Sequence, residues 1–187
     1  MMLLDDRPRE CVDNKNLKIF KIFDIIYIEM RKGAKMNYTQ NHDPNYYEKH
    51  QGSSNCGSFA FQIEEWYSPD EGFDVEEWID CGYNGGWDDY ELADSFVEQL
   101  IPVILNDFDN VRLIFSEAEL ESNEELIAFR TWIEEGNWDF HFKVLRDGLW
   151  QEKCGSDPVR FCSEDDWHNG LMDYNSYTVY FAKKLAS

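Results

Sequence analysis

Gly52-Ser53-Ser54-Asn55-Cys56-Gly57-Ser58-Phe59-Ala60-Phe61 is a small, polar approach that turns abruptly apolar, with one cysteine at the junction. Such a change reads as a loop feeding a helix, and Phe59, Phe61, Ile63, Trp66 and Tyr67 supply its apolar part before Ser68-Pro69 ends it. A thiol in the first turn of a helix faces free backbone amides and the positive end of the dipole, which favours the reactive thiolate. Cys56 is therefore the candidate nucleophile, read against the plainer alternative of a small core residue.

Working outward, Asn37 to Ser54 reads as an ordered loop leading into that helix. Downstream, Asp74 is placed to cap a helix from Val75 to Cys81 closed by Gly82, and Asp88 to cap a third. The third carries Leu92, Phe96, Leu100, Val103, Ile104 and Leu105 at helical spacing, with a kink expected at Pro102. From Val111 the period becomes two. Val111 to Phe115, Leu126 to Ile133, Phe140 to Leu145, Leu149 to Lys153 and Tyr177 to Ala182 read as strands, and Asp147-Gly148 as a tight hairpin turn. Helices first and antiparallel strands second predict an α+β fold, N-terminal helices packed on a C-terminal sheet.

The chain has 187 residues and 43% hydrophobic composition, enough for one packed domain. Its net charge of −21 argues against direct nucleic-acid binding, which needs a basic face, and points to a peptide or basic protein partner. That charge is unevenly spread: residues 1–35 carry 8 basic against 6 acidic side chains, residues 36–187 carry 9 against 32. Arg31-Lys32-Gly33-Ala34-Lys35-Met36 is also what a purine-rich ribosome-binding site and start codon give when translated. Residues 1–35 are accordingly expected to be a non-native or peripheral extension, and residues 36–187 the domain. The alternative for Leu17 to Ile28 is a genuine apolar element, too short and too interrupted by Lys21 and Asp24 for a membrane span. With no secretory leader legible, the expected location is the cytoplasm, with no membrane association.

Five scattered cysteines fit a reducing compartment better than a disulfide framework. Cys154, Cys162 and His168 lack the paired spacing of a zinc site, so neither a metal nor another cofactor is expected.

A partner for Cys56 stands in Trp138-Asp139-Phe140-His141-Phe142-Lys143, where His141 lies among alternating aromatics on a strand. Together, Asn-Cys-Gly at a helix start, the later Asp-Phe-His-Phe, the Asp-Gly turn and Leu149-Trp150-Gln151-Glu152-Lys153 resemble the papain-like cysteine hydrolases, the NlpC-type bacterial branch most closely. The resemblance covers about Gln51 to Lys153, and it departs at the nucleophile, where NlpC-type members show Asp-Cys-Ser-Gly, and at the base, where they show Gly-His. It implies Cys56 as nucleophile, His141 as base and then acid, and Glu152 as the residue orienting the imidazole. Gln151 has the opposite strand parity, so strand pairing decides between it and Glu152. The implied oxyanion donors are the Cys56 amide and the side chain of Gln51 or Asn55. His50 is a competitor for the base by its nearness in sequence.

Two functions follow. The first is a cytoplasmic cysteine hydrolase of peptidase or amidase type. The second is a non-catalytic acidic protein of a phage or mobile element that imitates nucleic acid, as antirestriction and anti-CRISPR inhibitors do.

Overall fold

A computed structural model describes residues 46–169 and 172–185. The expectations for residues 1–35, for a start at Met36 and for Asn37 to Asn45 fall outside the described residues.

The fold is α+β, with helices leading and an antiparallel sheet following. Helix α1 (Tyr46–Lys49) and a 3-10 turn (Gln51–Ser53) occupy what reads in sequence as loop. Helix α2 (Cys56–Phe61) is shorter than its apolar pattern implies, ending at Gln62 in a left-handed conformation with φ of 59°. The reason is a polar bracket. Asn55 and Ser58 form a reciprocal capping box, and the Asn55 amide also reaches forward to hold the Tyr67 backbone, folding the chain back over the helix. Tyr67 then lies so close to Gly57 that an added Cβ would meet its ring at 2.7 Å, so the position after the cysteine requires glycine.

Helix α3 (Val75–Asn84) is capped by Asp74 and runs past Gly82 to a Gly85 cap. Helix α4 (Asp89–Asp107) opens on a capping box between Asp88 and Glu91 and continues through Pro102 without a break.

Strands β1 (Val111–Ile114), β2 (Glu124–Glu134), β3 (Asn137–Arg146), β4 (Leu149–Lys153), β5 (Val159–Phe161) and β8 (Val179–Lys184) form one six-stranded sheet. Its order is β1-β8-β2-β3-β4-β5, and every pairing is antiparallel. A small separate ribbon joins β6 (His168–Asn169) to β7 (Met172–Asp173). Asp147 and Gly148, both at positive φ, make the expected two-residue turn from β3 to β4.

Alternation along the strands separates two faces. Ile127, Phe129, Phe140, Phe142, Val144 and Phe181 face α2 and α4 in the main apolar core. There Phe142 stacks on Phe129 at 4.4 Å and meets Phe61 edge-on, and each such ring contributes about 1.5–3 kcal/mol by its burial. The opposite face carries His141, Lys143 and Glu152, roofed by Trp167 and Tyr174 from the segment before β8.

Candidate active site

Strand β3 is longer than its neighbour. Against β2 it is paired from Asn137 to Leu145, but against β4 only from Lys143 to Arg146. Among the described residues, no strand pairs with the other edge of 137–142, and the start of α2 packs there. The Cys56 thiol donates to the Phe140 carbonyl at 3.8 Å, and the Phe142 and Gly57 amides point at its sulfur. The cysteine thus meets β3 in the plane of the sheet, one residue from His141, although His141 projects from the roofed face. Both line the same cavity of about 370 Å³.

Residue order on β4 settles which side chain meets the imidazole. Lys143 pairs with Glu152, so Glu152 shares the His141 face while Gln151 points away. His141 Nε2 lies 2.9 Å from Glu152 Oε2, both groups are buried, and Arg160 from β5 donates to Glu152 Oε1 at 2.7 Å. Burial alone would raise the Glu152 carboxyl. The hydrogen bonds from His141 and Arg160 outweigh it and hold the carboxyl below its ordinary range. An ionised carboxylate only accepts, so Nε2 carries a hydrogen toward Glu152, and the uncharged tautomer consistent with this bond has its lone pair on Nδ1. Tyr174 stacks on the imidazole at 5.2 Å, and its hydroxyl donates to Asp139 at 2.8 Å, fixing the ring from above.

Cys56 itself is not poised as an ion. Burial pushes its thiol up to about 12, the Asp139 charge adds to that, and the Phe142 and Gly57 amides only partly oppose it. The thiolate expected from a helix start is disfavoured at rest, because the helix has only six residues and Cys56 is buried, 4% exposed.

The two proposed oxyanion side chains are placed differently. Asn55 lines the cavity; Nδ2 gives one of its two hydrogens to the Tyr67 carbonyl at 2.8 Å, and Oδ1 accepts from Ser58 and Tyr67. Gln51 lies in the 3-10 turn, outside the cavity lining, with its carbonyl on Lys153. The Cys56 amide, at the first helical position, has no intrahelical acceptor. His50 stacks on Tyr46 and bonds its carbonyl, away from the cavity.

Lys153 is a site residue that the sequence reading passed over. Fully buried, it donates to the carbonyls of Ser54, Gln51 and Gly155, tying β4 to the loop that presents Cys56. A lysine at an inward position of a strand is a usable signal, since a buried ammonium must be matched by acceptors.

Among the described residues one group has metal-ligand character. A His141 ring nitrogen, a Glu152 oxygen and the Cys154 sulfur lie within 4.8 Å of one another, and Arg160 already holds the other Glu152 oxygen. Cys162 and His168 are not in that group.

The chain matches no family model, no curated protein and no solved structure. No helix among the described residues is long and apolar enough to cross a membrane.

Proposed function

We propose that the protein is a cysteine hydrolase of papain-like, NlpC-related type, cleaving an amide or related acyl bond with Cys56, His141 and Glu152. The observation that carries this reading is His141: Glu152 takes Nε2, and the ring and the Cys56 thiol border one cavity. In the reaction the Cys56 sulfur attacks the acyl carbon as its proton passes to His141 Nδ1. The tetrahedral oxyanion takes a hydrogen bond from the Cys56 amide. His141 then returns the proton to the leaving amine, and water, activated by the same nitrogen, releases the acyl group from sulfur. Because the resting thiol is protonated, proton transfer accompanies attack; no standing ion pair is needed. Glu152 supports the imidazolium while it exists.

A peptidyl acyloxymethyl ketone, which alkylates a cysteine only when it is bound and activated like a substrate, tests the proposal. Labelling confined to Cys56, and lost in His141→Ala, is the expected result. Labelling that is equal at Cys81, Cys154 and Cys162, or indifferent to His141, removes the hydrolase reading and leaves the acidic nucleic-acid mimic in its place.

A further inference from the structure

Among the described residues, the cavity beside the thiol is lined by two carboxylates, Asp70 and Asp139, and by no lysine or arginine. Its walls are indoles: Trp138 is half-buried, whereas Trp66 is 51% exposed at the rim. A large aromatic surface left in water next to a cavity marks a place where something docks. These groups are held in position. Trp138 donates from Nε1 to Asp70 Oδ2 at 3.2 Å, which locks one indole and one carboxylate into a single unit. Asp139 is fixed by the Phe140 amide and the Tyr174 hydroxyl, both at 2.8 Å. Beyond Trp138 a second cavity of about 390 Å³ opens, with Phe73, Asp74 and Glu76 in its wall, again aromatic and acidic.

An indole face next to a fixed carboxylate suits one chemical class, an alkylammonium or guanidinium on an apolar stem. The ring attracts the cation and covers the methylenes, and the carboxylate takes the hydrogen bonds. A neutral apolar side chain would strand the carboxylate, and an acidic one would be repelled. Building on the hydrolase reading, we infer that Trp66, Trp138 and Asp70 form a subsite for a lysine or arginine side chain adjoining the bond cleaved at Cys56. The overall charge of −21 attracts cations to the whole surface, but at about 0.1 M salt that attraction is screened beyond about 10 Å. Discrimination at such salt therefore reports the subsite itself.

The test uses the full chain carrying Cys56→Ala, so that binding is read without chemistry. Calorimetric titration at 0.15 M salt compares a capped hexapeptide bearing one central lysine with the same peptide bearing norleucine. The lysine peptide binds about tenfold more tightly, the scale of a cation over an indole with a carboxylate at hand. Asp70→Asn, which still accepts from Trp138, brings the two affinities together, and Trp66→Ala at the exposed rim lowers the preference independently. Glu117→Gln, a surface carboxylate outside both cavities, leaves the tenfold preference in place. Equal binding of the two peptides, or a preference that Glu117→Gln erodes as much as Asp70→Asn, overturns the subsite. The two proposals part cleanly: lysine-selective binding without turnover by the Cys56 protein removes the hydrolase and keeps the subsite. Turnover indifferent to substrate charge does the reverse.

Discussion

Glu125 and Glu152 are both buried carboxylates on the same sheet, each held by two nitrogen-bearing partners, yet they serve different ends. Glu125 receives a bidentate Arg146 at 2.5 and 3.0 Å, a permanent charge, and Lys183 at 3.1 Å. Lys183 also donates to the Ala60 carbonyl, and Arg146 lies over the Phe59 ring, so this cluster fastens α2 to the sheet. Among the described residues Glu152 pairs with one permanent cation, Arg160, whose side chain is half exposed. Its other partner is an imidazole, and His141 lines the cavity that Cys56 also borders. A carboxylate clamped between an arginine and a lysine that tie a helix to the sheet is a fastener; one that shares an imidazole bordering a cavity is in a position to do chemistry.

The sharpest way to break that contrast is to exchange the lesions. His141→Ala lowers the rate of acyloxymethyl ketone labelling at Cys56 by about a thousandfold, within the range a positioned base supplies. Glu152→Gln, which keeps an acceptor for Nε2 but no charge for the imidazolium, lowers it by about ten- to a hundredfold. Measured at equal folded fraction, Glu125→Ala leaves it near the wild-type rate. A Glu125 variant as slow as His141→Ala would mean the two clusters are not separable.

Stability runs the other way. Glu125→Ala strands Arg146 and Lys183, both almost fully buried, and costs about 3–5 kcal/mol in a denaturant titration. Glu152→Gln costs less, about 1–2 kcal/mol, because Arg160 remains hydrated when its partner is lost. Equal losses would sink the distinction between fastener and reactive group.

The same contrast explains what the sequence could and could not disclose. Elements set by neighbours along the chain were legible: the Asp88 cap that opens α4, the Asp147-Gly148 turn, and Leu149–Lys153 as a strand. The pairing of His141 with Glu152 was half legible. Parity narrowed it to one of two residues, and only the register of β3 against β4 chose between them. Long-range packing decided the rest. Helix α2 stops early because Tyr67 folds back onto Asn55 and Gly57, a contact no periodicity announces. Strand β5 is three residues with little burial, too short for an alternation signal, yet it delivers Arg160 to Glu152. The height of the Cys56 thiol pKa was equally hidden, since the polar residues before it suggest exposure and packing on the edge of β3 buries it.

A smaller effect sharpens the comparison through pH. Burial pulls the Lys183 ammonium down to about 8 from an ordinary value of 10.5, with the Glu125 charge opposing. Between those two values the unfolded chain keeps a proton that the folded chain has released, so folding stability rises with pH across that window. Tyr177, raised to about 12 by burial, acts in the opposite sense above pH 10, because there the folded state holds the proton longer. That contribution is common to wild type and Lys183→Met and cancels in their difference. The difference in unfolding free energy between the two proteins, followed from pH 7 to 10.5, therefore isolates Lys183, and it grows in favour of wild type as pH rises. Repeating the measurement in a Glu152→Gln background gives the same slope if the Glu125 and Glu152 clusters are independent. A slope that changes there would show that the two carboxylates are linked through the strands between them.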